Sequence, residues 1–335
     1  MILVTGGAGF IGSNLVARLA ERGERVVVAD GLGQGDKWRN LARHEIEEIV
    51  APDRLAAYLN DGLNDGLNDC GDALSAIFHL GAISSTTERD ADLLVETNFR
   101  LSKSLWRAAA ARQLPFIYAS SAATYGDGSA GFDDDDQPGS LARLKPLNGY
   151  GWSKQLFDRW VVRQRALEAP APPFWAGLKF FNVYGPNEYH KGAQASVAWH
   201  LFNQIKRGEP ARLFKSHHRD YPDGGQLRDF LWVGDAVEAM LWLHDQGKVS
   251  GIFNLGSGKA RSFAELASAV FSALGQDENI EYVPTPEEIR DRYQYYTEAK
   301  MDRLRATGFT QSFTPLEEGI SCYLSDYLLK DDPYR

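Results

Sequence analysis

The sequence predicts an α/β fold in which a doubly wound parallel sheet is accompanied by a smaller mixed α/β domain. The first observation behind this prediction is that short aliphatic strands alternate with segments of helical periodicity over about the first 180 residues. The second is that a glycine-rich turn joins the first strand to the first helix, as in Rossmann-type domains. We therefore expect a Rossmann domain whose ligand lies at the carboxyl ends of the strands.

The glycine-rich turn contains three glycines at three-residue spacing, Gly6, Gly9 and Gly12. It follows a strand predicted at residues 2–4 and precedes a helix predicted at residues 13–22. Gly6 permits a tight turn, Gly9 lets a pyrophosphate approach the backbone, and Gly12 lets the helix pack on the strand. Free N–H groups and the positive end of the helix dipole favour phosphate, so we expect a dinucleotide here.

The end of the second strand carries the residues that bear on cofactor choice. This strand is predicted at residues 25–29 and is followed by Asp30, where a dinucleotide site has an acid for the ribose. Asp30 alone favours NAD, because a carboxylate repels the 2′-phosphate of NADP. Gly31 leaves space and Lys37 can reach that phosphate, unless Lys37 is only a solvated loop lysine. These residues by themselves leave NAD and NADP both open.

Composition and charge exclude several classes of protein. The chain has 335 residues, of which 44% are hydrophobic and 24% charged, as in a globular enzyme of two domains or of one large domain with an appendage. Its net charge of −9 argues against binding of nucleic acid or of an anionic membrane. Cys70 and Cys322 are its only cysteines, so we expect no disulfide framework and no metal site.

A cytoplasmic location is expected from the N-terminal sequence and from the hydropathy. The first predicted strand begins at residue 2, which leaves no room for a signal peptide. No apolar stretch approaches the length of a membrane span, so we expect no membrane partner. We also expect a homo-oligomer, although the sequence does not define the number of subunits.

Three further elements and a repeat complete the first half of the chain. A tandem Leu-Asn-Asp-Gly repeat at residues 59–69 consists of turn-forming residues and is predicted to be a surface loop. Strands are predicted at residues 76–80 and 115–121, with a helix at residues 95–111 between them. The second of these strands ends in Ser121, whose hydroxyl is therefore expected at the edge where open α/β sheets bind ligands.

A tyrosine and a lysine form the candidate base. Tyr150 and Lys154 lie four residues apart in a helix predicted to run to about residue 166, so they share a helix face. An ammonium beside a phenol stabilises the phenolate, which predicts a lowered pKa for Tyr150 and a base near neutral pH. The alternative is an ordinary exposed pair of side chains, and the glycine turn and Ser121 argue against it.

The second half of the chain is expected to divide between two domains. The elements predicted here are strands at residues 175–180 and 252–255, helices at residues 233–243 and 263–274, and a polar loop at residues 214–226. We expect a dinucleotide-binding domain over residues 1–180, completed by about 229–257, and a substrate domain over residues 181–228 and 258–335. The cleft between them is the expected site.

The glycine turn, Ser121 and the Tyr150–Lys154 pair together resemble the extended short-chain dehydrogenase/reductases that act on nucleotide sugars. This resemblance covers nearly the whole chain. A narrower resemblance is to the ADP-L-glycero-D-manno-heptose 6-epimerase family. The stretches that carry it are residues 81–88, 118–126, 181–186, 190–192, 195–200 and 292–294.

The narrower resemblance implies an epimerase that inverts C6 of the heptose in ADP-D-glycero-D-manno-heptose, for lipopolysaccharide core synthesis in a Gram-negative cytoplasm. Inversion of this carbon requires that its C–H bond be broken, which hydride transfer to a nicotinamide achieves. The resemblance implies tightly held NADP, with NAD possible, and an ADP-heptose as the small-molecule partner. It implies Tyr150 and Lys191 as the two acid/base groups, with Ser121 and Lys154 in support. Lys191 as a phosphate contact or surface lysine is the open alternative.

The resemblance also implies two sets of binding residues. The cofactor set comprises Gly6, Gly9, Phe10, Ile11, Gly12, Asp30, Gly31, Lys37, Leu80, Gly81, Ala82, Ile83, Ser84, Asn98, Tyr150, Lys154, Val183 and Lys191. The substrate set comprises Asn182, Ala193, His200, Phe214, Lys215, Ser216, Arg228 and Tyr293. Arg228 is the candidate for the pyrophosphate, because its fork of donors suits that anion. The alternative is a structural ion pair of Arg228 with Asp229 or another carboxylate.

Two positions depart from the family pattern within the expected cofactor site. Leu80 stands where many members have Glu, and Gly31 stands where Asn is common. Both departures keep the choice between NADP and NAD open.

Three other functions compete with the C6 epimerase. Another nucleotide-sugar epimerase, such as a 4-epimerase, would use Tyr150 and Lys154 without Lys191. A 4,6-dehydratase usually has an Asp-Glu pair after the active-site hydroxyl, whereas two alanines follow Ser121. A non-catalytic NAD(P)-sensing protein on this fold tends to lose the Tyr–Lys pair, which is intact here.

Overall fold

The computed structural model describes residues 1–60, 74–290 and 293–335. Most of the repeat at residues 59–69, together with Cys70 and Arg292, lies outside these ranges. The strands of the described residues are β1 (Ile2–Thr5), β2 (Val26–Ala29), β3 (Glu48–Val50), β4 (Ala76–His79), β5 (Phe116–Ser121), β6 (Trp175–Phe180), β7 (Asn182–Tyr184), β8 (Ala211–Phe214), β9 (Leu227–Trp232), β10 (Gly251–Leu255), β11 (Ala260–Ser262) and β12 (Ile280–Val283).

Helices connect these strands. The α-helices are α1 (Phe10–Glu21), α2 (Leu55–Asn60), α3 (Ala91–Leu94), α4 (Leu101–Arg112), α5 (Pro138–Arg143), α6 (Gly149–Ala166), α7 (Val197–Lys206), α8 (Val233–Gln246), α9 (Phe263–Leu274), α10 (Glu287–Arg290), α11 (Asp302–Ala306) and α12 (Leu316–Tyr323). Short 3₁₀ segments lie at Asp36–Asn40, Pro52–Arg54, Ala122–Tyr125 and Tyr189–Gln194, and π-helical turns lie at Val95–Arg100 and Leu324–Leu328.

Seven strands form one sheet in the order β10-β6-β5-β4-β1-β2-β3. All neighbouring strands within it are parallel. The strand order reverses where β1 pairs with β4, and in such sheets the ligand crevice lies beyond the carboxyl ends at this reversal. The predicted doubly wound sheet is confirmed. Among the described strands, two smaller sheets accompany it, β11-β9-β7 with mixed strand directions and β12-β8.

Two clusters of buried apolar side chains stabilise these layers. The larger cluster surrounds the seven-stranded sheet, whose β1 residues Ile2, Leu3 and Val4 are almost fully buried because helices cover both faces. The smaller cluster joins α7, α9 and α12 to the two small sheets. Leu304 and Phe309 pack in the larger cluster, although they follow residue 258. The domain limits drawn from the sequence stay a prediction.

Two predicted helices begin or run differently in the structure. Helix α1 begins at Phe10 rather than at residue 13, because Gly9 has extended backbone (φ −73°, ψ 177°) and serves as its N-cap. The helix predicted at residues 95–111 starts instead with a π-helical turn at Val95–Arg100, and α4 follows. Asn98 lies in that turn, and its amide exchanges two hydrogen bonds of 2.9 Å with the backbone of Ile83.

Within the described ranges, no helix is both long enough and apolar enough to cross a lipid bilayer. The same residues contain no group of three or more His, Cys, Asp or Glu side chains arranged to hold a metal ion.

Candidate active site

The glycine turn forms a closely packed cradle at the strand reversal. Gly6 has φ +67°, and a Cβ there would lie 2.6 Å from the Gly81 backbone nitrogen. A Cβ on Gly12 would overlap the carbonyl oxygen of Gly6. Only glycine fits both positions, and the turn leads directly into the N-terminus of α1. Such a cradle fits the pyrophosphate of a dinucleotide, which binds at a helix N-terminus through backbone N–H groups.

Asp30 and Lys37 lie together beside this cradle. Asp30 Oδ2 accepts a hydrogen bond of 3.0 Å from the Ala8 backbone N–H. Its other oxygen lies 2.7 Å from Lys37 Nζ, which also donates to the Gly31 carbonyl oxygen at 2.9 Å. The carboxylate at the expected ribose position is therefore compensated by a lysine from the following loop.

One cavity of about 490 Å³ collects most of the predicted site residues. Ser121, Tyr150, Lys154 and Lys191 all line it. The predicted cofactor residues that line it are Gly6, Gly9, Phe10, Ile11, Gly12, Asp30, Lys37, Leu80, Gly81, Ala82, Ser84 and Val183, and the predicted substrate residue that lines it is Asn182. Gly31, Ile83 and Asn98 are not among the lining residues, and Asn98 instead ties Ile83 to α6 through a 3.0 Å hydrogen bond with Ser153 Oγ.

Tyr150 and Lys154 lie in the first turns of α6, opposite the end of β5. Asn148 caps this helix by accepting a 2.8 Å hydrogen bond from the Gly151 N–H. Lys154 Nζ donates to the Ala119 carbonyl oxygen at 2.8 Å, which holds the ammonium against β5. Burial lowers the pKa of Lys154 to about 8, and the Asp158 carboxylate acts in the opposite direction.

The prediction of a lowered pKa for Tyr150 is wrong for this structure. Burial raises the pKa of Tyr150, the Asp158 carboxylate raises it further, and a hydrogen bond with the Ser121 side chain lowers it in part. Spacing on a helix indicated the neighbouring ammonium, but it could not indicate how far the phenol is removed from water. Ser121 therefore acts directly on the ionisation of Tyr150.

Lys191 lies in the 3₁₀ segment Tyr189–Gln194 and lines the same cavity. Its Nζ lies 5.3 Å from the centre of the Phe10 ring at the glycine turn. Burial lowers its pKa, and the neighbouring Glu188 carboxylate raises it. Glu188 is itself buried and accepts hydrogen bonds from Ser196 Oγ at 2.7 Å and from Tyr323 OH at 2.9 Å. The backbone that carries Lys191 is thus anchored to α7 and α12.

Arg228 lies on β9 with its guanidinium between two aromatic rings. It is 8% exposed, and its Cζ lies 5.3 Å from the Tyr293 ring and 5.6 Å from the Phe263 ring, which lines the cavity. Its hydrogen bond is to the Leu227 carbonyl oxygen at 2.8 Å. Among the described residues, no carboxylate lies within ion-pair distance of this guanidinium.

The alternative ion pair of Arg228 with Asp229 is absent because the two side chains alternate across the strand. The Asp229 carboxylate is buried and accepts hydrogen bonds from the backbone N–H groups of Ser257, Gly258 and Ala299 at 2.6–2.9 Å. Burial raises the pKa of Asp229 to about 6. It organises the loop after β10 and does not neutralise Arg228.

The remaining predicted substrate residues lie at the end of β8 and on the segment after it, on the segment after α10, beside Lys191 and on α7. The Phe214 and Tyr293 rings meet edge to face at 6.2 Å between centroids, and the Lys215 carbonyl oxygen accepts a hydrogen bond from Thr285 Oγ1. Ser216 Oγ donates to the His218 carbonyl oxygen within the loop. Ala193 lies two residues after Lys191, and His200 lies on α7 against the Trp199 ring. These six predicted residues do not themselves line the cavity.

Two buried features of the site were not predicted. Asn187 has φ +72°, donates to Ser13 Oγ at 3.0 Å, and accepts from Asn40 Nδ2 and from the Arg335 N–H, so it holds the segment before Lys191 in place. These contacts span the whole chain, and no local pattern indicates them. The second feature, Lys179, did have a sequence signal, since it is a lysine within an otherwise apolar strand, β6.

Comparisons with known proteins agree on the family and the fold of this chain. The NAD dependent epimerase/dehydratase family model matches residues 2–256. A relative from Nitratidesulfovibrio vulgaris (strain DP4), named ADP-L-glycero-D-manno-heptose-6-epimerase, is 48% identical over 335 residues, which is 100% of both chains. The solved ADP-L-glycero-D-manno-heptose-6-epimerase of Helicobacter pylori has a TM-score of 0.79 and 28% identity, over 97% of this chain and 95% of that chain. The UDP-glucose 4-epimerase of Thermus thermophilus, in complex with NAD, has a TM-score of 0.75 and 25% identity, over 96% of this chain and 97% of that chain.

Proposed function

The chain belongs to the NAD dependent epimerase/dehydratase family, and from this we propose that it interconverts the two C6 epimers of an ADP-heptose. In the proposed direction, ADP-D-glycero-D-manno-heptose becomes ADP-L-glycero-D-manno-heptose, a precursor of the lipopolysaccharide core. The full-length relative named as a heptose epimerase is 48% identical to this chain, whereas the UDP-glucose 4-epimerase is 25% identical. The comparisons therefore support an ADP-heptose as substrate more strongly than UDP-glucose. We also propose that the protein is a cytoplasmic homo-oligomer.

The observation that carries the proposal is the buried Arg228 beside a cavity that contains two separate candidate bases. A guanidinium without a carboxylate partner among the described residues is a costly group to bury, unless an anion completes its environment. The pyrophosphate of a nucleotide sugar is such an anion, and Arg228 is the residue proposed to bind it. The substrate residues proposed with it are Asn182, Ala193, His200, Phe214, Lys215, Ser216 and Tyr293.

The reaction requires a base that takes the proton from the C6 hydroxyl. It also requires an acid that returns a proton to the same oxygen after the sugar has presented its other face. A bound nicotinamide would supply the hydride acceptor and donor that breaks and remakes the C6–H bond. Tyr150, with Lys154 and Ser121, takes the proton from the C6 hydroxyl as the sugar is oxidised. Lys191, on a separate segment of the chain, returns a proton to the carbonyl oxygen when the sugar presents its other face. Lys191 as a phosphate contact is the competing role.

The proposed cofactor is NADP, with NAD as the alternative. The residues proposed to hold it are the glycine turn, Asp30, Gly31, Lys37, residues 80–84, Asn98, Tyr150, Lys154, Val183 and Lys191. The ion pair of Lys37 with Asp30 supports NADP, because it compensates the carboxylate that would otherwise repel a 2′-phosphate. The lysine can then share its charge between the carboxylate and the phosphate.

Incubation of the purified protein with ADP-D-glycero-D-manno-heptose, followed by NMR of the sugar, tests the proposal. We expect a mixture of the two C6 epimers, with no net consumption of added dinucleotide. UDP-glucose serves as the comparison substrate. Epimerisation of UDP-glucose at C4 without turnover of the heptose would favour the alternative function, and no turnover of either would contradict the enzymatic proposal.

A further inference from the structure

A buried ion pair lies behind the candidate base and has no part in the roles proposed above. Lys179 Nζ, on β6, lies 2.9 Å from Asp158 Oδ2, on α6, and both side chains are 0% exposed. Removing two charges from water costs more free energy than burying two apolar side chains of similar size. A pair at this depth, inside the dinucleotide-binding sheet, therefore calls for a functional explanation.

The carboxylate of this pair is attached to both elements that carry the base. Asp158 follows Lys154 by four residues on α6, so the two side chains share a helix face. Asp158 Oδ2 accepts a 2.6 Å hydrogen bond from Ser120 Oγ, and Oδ1 accepts a 3.0 Å hydrogen bond from Tyr118 OH. Both donors lie on β5, the strand that ends in Ser121.

The ammonium of the pair reaches the turn that follows Ser121. Lys179 Nζ donates a 2.6 Å hydrogen bond to Thr124 Oγ1, and Thr124 Oγ1 donates to the Ser121 carbonyl oxygen at 2.8 Å. The same Nζ lies 5.0 Å from the centre of the Tyr125 ring. The ammonium is therefore fully enclosed by polar and aromatic partners, directly behind the candidate site.

The carboxylate affects the ionisation of the candidate base. Asp158 raises the pKa of Tyr150 and also that of Lys154, because a nearby negative charge opposes the loss of a proton from each group. The negative charge of Asp158 therefore opposes the release of a proton from the Tyr150–Lys154 pair. The Lys179 ammonium, 2.9 Å from the same carboxylate, places a positive charge directly against this negative charge.

We propose that Lys179 is a positioning residue of the epimerisation, whose charge neutralises Asp158 and so allows the Tyr150–Lys154 pair to release its proton. The inference rests on the proposed function. It assigns Asp158 to hold β5 against α6, and it assigns Lys179 to remove the electrostatic cost that this carboxylate imposes on the base.

The other titratable groups around the pair are a histidine, two tyrosines and three carboxylates. His79 faces Lys154, and burial lowers its pKa to about 3, so it stays neutral. Burial raises the pKa values of Tyr118 and Tyr125 well above 10, so both phenols stay protonated. Burial raises the pKa of Asp134, near Tyr125, to about 6. The other carboxylates that act on these two phenols are Asp133 and Asp136.

The pH dependence of kcat for interconversion of the ADP-heptose epimers tests the inference, with the full-length protein and its bound dinucleotide. Lys179→Gln leaves Asp158 uncompensated and should move the acid limb to higher pH by at least about 0.5 unit. Asp158→Asn removes the opposing charge and should move that limb to lower pH. The double variant removes both charges and should return the limb to its wild-type position. Lys330→Gln, at an exposed lysine, is the control and should leave the limb in place.

If Lys179 and Asp158 had only a structural role, both single variants would lose activity or stability. Their acid limbs would not move in opposite directions. Limbs that coincide with the wild type in both single variants would therefore overturn the inference. If either single variant fails to fold because one buried charge is left alone, the double variant still decides. A tenfold or greater loss of kcat in the folded double variant would then also overturn it. A wild-type protein that does not interconvert the epimers would contradict the proposed function itself.

Discussion

Lys37 Nζ lies 2.7 Å from Asp30 Oδ1, so the carboxylate that follows β2 is paired with a lysine of the protein itself. This relationship predicts NADP as the dinucleotide that survives purification. Mass spectrometry of the nucleotide released on denaturation identifies it. NAD as the sole species would contradict the choice of NADP, and the absence of any dinucleotide would contradict the proposed use of the fold.

Replacement of Lys37 tests the same relationship quantitatively. Lys37→Ala removes the cation and leaves Asp30 free to repel a 2′-phosphate, so the ratio of NADP to NAD affinity should fall at least about tenfold, or about 1.4 kcal/mol. Dinucleotide binding is measured by titration of protein that has been freed of its nucleotide. The exposed Lys248→Ala serves as the control and should leave the ratio unchanged.

Arg228→Ala should raise KM for the ADP-heptose by at least about tenfold, equivalent to about 1.4 kcal/mol, with a smaller effect on kcat. The reason is that the variant loses the buried guanidinium proposed for the pyrophosphate, away from the reacting carbon. The matched control is Arg261→Ala, which faces Arg228 across β9 and β11 but already pairs with Glu265 and Glu317. An unchanged KM in Arg228→Ala would contradict the placement of the pyrophosphate.

Tyr150→Phe and Lys191→Met should each lower kcat for epimerisation by roughly 10²-fold or more, as expected for loss of a general acid or base. Each group serves one face of the carbonyl, so neither can replace the other. Dismutation of a shortened sugar aldehyde, scored for each variant, separates the two roles. Epimerisation by Lys191→Met at nearly the wild-type rate would reject the mechanism with two bases and favour the general Tyr–Lys sugar epimerases.

The Tyr150–Lys154 pair should give kcat/KM an acid limb near pH 8. The pKa of Lys154 is about 8 and that of Tyr150 is raised, so the pair loses its first proton near pH 8. Because the base must be deprotonated, activity should rise with pH through this value and be lost below it. Lys154→Met should abolish the limb in the residual activity, because the group that titrates near pH 8 is then lost. A rate that falls between pH 7 and 9 would contradict this assignment.

Gly12→Ala should destabilise the protein by roughly 1–3 kcal/mol and reduce its content of bound dinucleotide, because the new methyl group overlaps the Gly6 carbonyl. Thermal unfolding and nucleotide release measure the two effects. Gly35→Ala is the control, since φ at Gly35 is −98° and, apart from its chain neighbours, no atom of the described residues lies within 4 Å of its added Cβ. Equal stability of the two variants would show that the turn tolerates a side chain.

Some elements could be predicted from the sequence to the residue, and others could not. Strand β6 and helix α9 begin and end where the pattern of apolar residues predicts, and Ser262 with Glu265 forms a capping box at the start of α9. The start of α1 was predicted three residues late, because it depends on the backbone angles of Gly9. Apolar periodicity indicates which face of a helix is buried, but it does not indicate the residue at which a glycine turn becomes helical.

The residues of the candidate site likewise include some that could be predicted from the sequence and some that could not. Tyr150, Lys154, Ser121 and the glycine turn could be predicted because local spacing defines their geometry. Asn187 could not, because its partners lie on α1, on the segment after Lys37 and near the end of the chain. Lys179 stood out as a charge in an apolar strand, but its partner Asp158 is 21 residues away on another element.

The sequence by itself determined the doubly wound sheet, the dinucleotide turn and the residue types available for acid/base chemistry, since each follows from patterns within a few residues. Only the tertiary structure decided the electrostatics of the site. It removes the half-buried Tyr150 from enough water to raise its pKa, leaves Arg228 without a carboxylate partner among the described residues, and sets Lys179 against Asp158. Desolvation and pairing depend on groups brought together from distant parts of the chain, and no local pattern encodes their sum.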